Sequence, residues 1–147
     1  PIRPLATCTV WIAIDEANKQ NGCLRVIKRS HKNRKLRKHN TVNDKKFTLH
    51  QVLDSSEFNE VDAVDLELKR GQISLHDVYL LHGSKANKSS KSRRGMTLRY
   101  MPTTSVFDRK VAKELHENLG VVNHSERSLF LMRGIDESNL NDFRLRF

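Results

Sequence analysis

His82 and Arg93 are the two side chains whose types and spacing could do chemistry together. The run Ile73 to Leu81, ISLHDVYLL, has the β-branched and aromatic character of a strand, and His82 falls at its end, directly before Gly83-Ser84. A polar loop from Lys85 to Ser92 follows, then Arg93 and Arg94, then a second strand, Met96 to Met101, which Pro102 stops. A neutral imidazole at a strand end can ligate a metal, and a guanidinium one loop away offers a planar fork to a carboxylate. Arg94 rivals Arg93 for the carboxylate, because alternation sends the two to opposite faces. His76 shares the parity of His82, but six residues of extended chain span about 20 Å, too far for one ion. Only one of the two histidines can then be a ligand.

The elements that must position these groups read as short strands. Thr7 to Ile14 places Thr7, Thr9, Trp11 and Ala13 on one face and Cys8, Val10, Ile12 and Ile14 on the other, with neither face charged, as in the middle of a sandwich. Asn21-Gly22 supplies positive φ for a return turn, and Cys23 to Ile27 pairs back. Val61 to Leu68 alternates apolar and acidic residues as a half-exposed strand, and Lys69 to Gln72 turns the chain at Gly71. Residues 33–60 lose periodicity and form a long variable insert with apolar patches at Phe47 to Leu53 and at Phe58. One late amphipathic helix is expected within 105–120. Ser105 and Asp108 are its candidate caps, Val111, Ala112, Leu115 and Leu119 its apolar face, and Gly120 its stop. Beyond it, Leu129 to Met132 is a short apolar run.

The 147 residues are a single-domain length, able to bury roughly two thirds of their unfolded surface. Lys plus Arg number 27 against 17 Asp plus Glu, a formal charge of +10 that draws polyanions and anionic substrates. The basic residues concentrate in Lys28 to Lys38, with no Phe, Tyr or Trp interleaved to stack on bases, so we read a solvated loop rather than a nucleic-acid surface. His31 sits in that run, where its cationic neighbours would repel a dication. Cys8 and Cys23 are expected as buried free thiols, which suits a cytoplasmic location. No apolar run approaches the roughly 18 residues of a membrane span. We expect a cytoplasmic protein whose N-terminal part lies outside this sequence, with an oligomeric state the sequence leaves open.

Two separated stretches carry a family resemblance. GQISLHDVYLLHGSKANKSSKSRRGMTLRY from Gly71 to Tyr100, with VWIAIDEANKQNGCLRVIKRSHK from Val10 to Lys32 upstream of it, resembles the phytanoyl-CoA dioxygenase family of iron(II) and 2-oxoglutarate-dependent oxygenases. The resemblance implies a mainly β fold, the double-stranded β-helix or jelly roll of cupin-like proteins, here incomplete at its N-terminal side. Residues 1–147 would be one domain, the C-terminal portion of a larger oxygenase domain. It implies that His82 is the last iron ligand and catalytic histidine, that Arg93 pairs with the distal carboxylate of 2-oxoglutarate, that Ser84 assists it, and that Trp11 lines the cosubstrate pocket rather than the core. Fe(II) and 2-oxoglutarate are the implied cofactors, with ascorbate as an accessory. The implied reaction oxidises 2-oxoglutarate to succinate and carbon dioxide while hydroxylating a carbon of a small organic or acyl substrate. The family draws its other two iron ligands from a His-x-Asp pair, and none occurs in these 147 residues. The chain alone is then expected to be inactive. The other readings are a non-catalytic basic jelly roll holding an anionic ligand, and a nucleic-acid module. The chain departs from the family at Lys28-Arg29, where Pro-Gly is usual before the Ser-His.

Overall fold

Trp11 lies in the central strand of a sheet assembled from three distant parts of the chain. The computed structural model describes residues 1–42 and 51–146. In chain order the strands are β1 (Ile2–Arg3), β2 (Cys8–Ala13), β3 (Leu24–Ile27), β4 (His39–Thr41), β5 (Gln51–Leu53), β6 (Ala63–Leu66), β7 (Ile73–Asp77), β8 (His82–Ser84), β9 (Gly95–Tyr100) and β10 (Val106–Phe107), followed by the helix α1 (Arg109–Leu119). The chain divides into two compact units. One comprises Thr7–Asn40 and Leu53–Tyr100, and the other Pro1–Ala6, Thr41–Val52 and Met101–Phe147.

The first unit holds two antiparallel three-stranded sheets, ordered β7-β2-β9 and β6-β3-β8. The chargeless strand expected over Thr7 to Ile14 is indeed central, flanked on both sides. In its register Trp11 faces Ser74 and Thr97, Thr9 faces His76 and Arg99, and Ala13 faces Gly95. Directly paired residues share a face, so Thr9, Trp11, Ala13, Ser74, His76, Gly95, Thr97 and Arg99 line one side of the sheet. Ala13 and His76 on that side are buried. The opposite side is apolar and open, with Ile73, Leu75, Met96, Leu98 and Tyr100 all exposed. Cys8 lies on this open side and is exposed, so only Cys23 is the buried thiol expected of both; each is free.

Two expected strands are cut short, for local reasons. Glu60–Asp62 is a 3-10 turn, because the Asn59 side chain accepts from the Val61 amide at 3.2 Å, and β6 starts only at Ala63. The strand expected from Ile73 to Leu81 stops at Asp77. There the Asp77 carboxylate accepts from the Tyr79 amide at 2.8 Å and its carbonyl from the Leu80 amide at 3.1 Å, forming a turn. The chain then leaves the first sheet and re-enters structure as β8 of the second.

Within the insert, Arg37 pairs with Glu57 at 3.1 Å and Lys38 with Asp54 at 3.5 Å, so part of the basic run is neutralised internally. Of the apolar patch Phe47 to Leu53, residues 47–50 lie outside the described residues. In the second unit, β1 pairs with β10 and α1 follows. The Asp108 side chain caps the Val111 amide at 3.0 Å, and Gly120 ends the helix at φ 63°. Ser105, the other candidate cap, is instead buried, donating to the Pro4 carbonyl at 2.9 Å. Leu129 to Met132 forms no regular element, and Phe130, Leu131 and Met132 are exposed. Among the described residues no helix is long and apolar enough to cross a membrane.

Gly95 is required by a close approach, since a Cβ there would fall inside contact distance of the Trp11 indole. Gly95→Ala is expected to destabilise the protein by about 1–3 kcal/mol, the usual cost of overpacking. Gly83→Ala, where a Cβ meets nothing within 4 Å, should cost clearly less. Urea midpoints of the two variants measure the difference, and equal midpoints would refute it.

Candidate functional site

His82 opens β8, where it pairs with Val26 of β3, and Ser84 pairs with Leu24; the two share a face of the second sheet. Leu81, immediately before His82, is held from both sides. Its carbonyl accepts from the Ile27 amide at 3.0 Å and its amide donates to the Ser30 hydroxyl at 2.8 Å. The serine of the Ser-His-Lys segment thus anchors the backbone beside His82. The His82 ring contacts the Leu80 carbonyl through Nδ1 at 2.7 Å. A carbonyl can only accept, so Nδ1 is the donor in this contact, and Nε2 is the nitrogen left to ligate a metal.

The turn at Asp77 brings His76 and His82 together. Their ring centroids are 4.9 Å apart, tilted by 52°. The expectation of about 20 Å between them assumed an unbroken strand and is overturned. Asp77 was the available signal, because an Asp within an apolar run can bond the amide two residues on and break the strand. His76 is 8% exposed. Burial first, and then electrostatic repulsion from the neighbouring His82 and Arg99, push its pKa below the ordinary value.

Trp11 lies two residues along β2 from Thr9, the partner of His76, and on the same face. It is half-buried, with Gly95 against its ring and the Arg93 guanidinium 5.9 Å from the ring centroid, the range of a cation–π contact. The inner side of the unit therefore carries two side-chain pairs, Arg93 with Trp11 and His76 with His82, whose members Trp11 and His76 share one sheet face.

The neighbouring arginines are treated differently. Arg94 grips Asp15 with both arms of its guanidinium, Nε at 2.8 Å and Nη2 at 2.9 Å, and its amide donates to the same carboxylate at 2.8 Å. Among the described residues no carboxylate lies within 4 Å of Arg93. The loop from Lys85 to Ser92 that delivers both is fastened to the turn 18–22. The Lys88 amide donates to the Gln20 carbonyl at 3.2 Å, and the buried Asn21 side chain donates to the Glu16 carbonyl at 2.7 Å and to that of Ser92 at 3.5 Å. Gly22, at φ 77°, lies so close to the Lys85 carbonyl that a side chain would collide with it.

Cys23 is buried nearby, its thiol pushed up by burial and then by Asp65 and Glu67, which leaves it a poor nucleophile. Among the described residues no three His, Cys, Asp or Glu side chains converge as a metal group. Those present offer one imidazole with its ligating nitrogen free, a second beside it, and an unpaired guanidinium beyond an aromatic wall. That donor set suits one side of a borderline divalent metal together with a carboxylate-bearing ligand.

The sequence signature of the phytanoyl-CoA dioxygenase (PhyH) family matches residues 1–95. A phytanoyl-CoA dioxygenase domain-containing protein 1 homolog of Dictyostelium discoideum is 32% identical over 100 residues, covering 67% of this chain and 36% of that protein. A phytanoyl-CoA dioxygenase of Arabidopsis thaliana is 37% identical over 93 residues, covering 63% of this chain and 32% of its own. The chain thus spans about a third of the length of these relatives. Among solved structures, the epimerase SnoN in complex with Fe3+, alpha ketoglutarate and nogalamycin RO superposes with a TM-score of 0.57 at 18% identity, over 92% of this chain and 51% of SnoN. The non-heme monooxygenase ThoJ in its nickel complex gives 0.57 at 21%, over 95% and 41%. At these identities the likeness shows the fold, which is the mainly β jelly roll expected from the sequence.

The Arg94 bonds to Asp15 hold that carboxyl down at about 2, against an ordinary 3.8. A carboxyl depressed in the folded state contributes stability that is present above 3.8 and lost as pH falls through about 2. Asp15→Asn should therefore flatten the acid limb of the stability profile across that interval and lower stability evenly at every pH above it. Denaturation midpoints against pH test this, and an unaltered acid limb would contradict it.

Proposed function

This chain belongs to the phytanoyl-CoA dioxygenase family, and from that premise we propose that it forms the C-terminal part of the catalytic domain of an iron(II) and 2-oxoglutarate-dependent oxygenase acting on a small organic or acyl substrate. His82 would hold the iron through Nε2, and Arg93 the distal carboxylate of 2-oxoglutarate, with the Ser84 hydroxyl assisting and Trp11 walling the cosubstrate. Bound iron supplies the activation of dioxygen that drives hydroxylation. The chain's own residues would orient the cosubstrate, hold the His82 ring through Nδ1 and the Leu80 carbonyl, and exclude water along the Trp11 wall. The other two ligands, a His-x-Asp pair in the family, are proposed to lie in the part of the protein beyond these 147 residues, so this chain alone should turn over negligibly. Two free thiols are in keeping with a cytosolic location. A basic nucleic-acid surface stands lower, because Arg37 and Lys38 are already engaged by Glu57 and Asp54.

The observation that carries this reading is the division between Arg93, which has no carboxylate partner among the described residues, and Arg94, which is committed to Asp15. A bidentate guanidinium–carboxylate pair is worth more than a neutral hydrogen bond, about 1.5–3 kcal/mol, or some 10- to 100-fold in affinity. In the full-length protein, Arg93→Ala should raise the KM for 2-oxoglutarate by at least about tenfold. Arg94→Ala should raise it by less, since it acts only through the loop. Succinate formation at varied 2-oxoglutarate gives both values, and the reverse order would exclude the assignment.

A further inference from the structure

We propose that Arg99, Thr9 and His76 form a substrate-binding row that accepts a carboxylate, so that the substrate is a small organic acid. The proposal rests on the oxygenase reading above for the iron at His82 and the cosubstrate at Arg93; the row itself stands on its own geometry. Thr9 of the central strand β2 is paired with His76 of β7 on one side and with Arg99 of β9 on the other, so the three share the inner face. Neighbouring strands lie about 4.8 Å apart, which sets the imidazole and the guanidinium to either side of the Thr9 hydroxyl. All three side chains can donate a hydrogen bond, and the residues registered on this face include no acid. Arg99 is exposed, and among the described residues no carboxylate lies within 4 Å of it. An anion seated over Thr9 meets a donor on each side.

His76 supplies the independent sign of a ligand. It is 8% exposed, and its Nδ1 is buried without a hydrogen-bond partner among the described residues. The Ser74 hydroxyl, next along β7 on the same face, is buried and unpaired in the same way. Polar atoms taken out of water and left unpaired lower stability, and native proteins nearly always give them a partner. Arg99 is near enough for its charge to act on the His76 ring. Position along the sheet separates this row from the cosubstrate. Arg93 precedes β9, while Arg99 lies four residues beyond its first residue, Gly95, about 13 Å along an extended strand. On the reading above the cosubstrate reaches from His82 past Trp11 toward Arg93, so a carboxylate at Arg99 belongs to a second molecule.

Calorimetry on the full-length protein, kept free of oxygen with iron(II) and saturating 2-oxoglutarate, tests the row with straight-chain carboxylates from acetate to decanoate and their primary amides. At least one carboxylate should bind about tenfold or more tighter than its amide, as a charge-assisted pair predicts. Arg99→Gln keeps a donor and removes the charge; it should abolish that preference and leave the affinity for 2-oxoglutarate unchanged. Thr9→Val keeps the branched shape and removes the hydroxyl, and should weaken the same carboxylate about two- to tenfold. Should Arg99→Gln fail to fold by circular dichroism, Thr9→Val decides in its place. A parent with no preference for carboxylates, or a folded Arg99→Gln that retains the preference, overturns the proposal. Loss of 2-oxoglutarate affinity in Arg99→Gln also overturns it, by giving the row to the cosubstrate. Arg93→Ala separates the row from the oxygenase reading. If 2-oxoglutarate affinity falls in Arg93→Ala while the preference survives in Arg99→Gln, only the substrate row is lost. If Arg93→Ala leaves that affinity unaltered, the oxygenase reading falls, whatever the carboxylates do.

Discussion

The approach of His76 to His82 depends on the corner between β7 and β8. An aspartate bonds its own backbone, the strand ends, and the chain crosses to the second sheet within a few residues. Leu81 is then caught between the Ile27 amide and the Ser30 hydroxyl. These are ordinary hydrogen bonds, each worth about 1 kcal/mol net. Their effect is positional, because they fix the residue before His82 in two directions and leave the imidazole little freedom beyond its own side-chain rotation. Had the strand run on to Leu81, His76 and His82 would have stayed in one sheet, apart by the length of an extended hexapeptide.

A second constraint lies where the loop 85–92 delivers its two arginines. Adjacent arginines emerge from one loop, and strand alternation turns them apart. The sheet-edge arginine is neutralised by Asp15, while the other leans over an indole. Sequestering one guanidinium gives the pair a definite polarity, since of these two only Arg93 lacks a carboxylate partner among the described residues. The clasp between turn 18–22 and loop 85–92 keeps that arrangement in register, and the small residue at Gly22 is what permits the two segments to touch.

Much of this was legible in the amino-acid order. The apolar alternation from Thr7 to Ile14 announced a central strand, Asn21-Gly22 a return turn, and Asp108 with Gly120 a capped helix, because each signal acts through near neighbours. The family pattern around His82 and Arg93 was also readable from residue types at fixed spacing. What escaped depended on competition or on distant partners. Asp77 could have sat on the solvent face of a longer strand, and only the completed fold shows its side chain taking the backbone instead. Asp15 gave no hint of Arg94, since an ion pair between residues so far apart leaves no local pattern. Cys8 looked buried because both faces of its strand are uncharged, yet one face of that sheet is open.

The register of β2 carries a kinetic corollary. Trp11 is flanked by Ser74 on one side and Thr97 on the other, so its surroundings are gathered from across most of the first unit. Closing such long loops costs entropy before any contact is gained, and topologies dominated by distant pairings fold slowly. The indole wall cannot exist as a local nucleus. It takes shape only once both flanking strands have docked, which makes the surroundings of Trp11 a late product of folding.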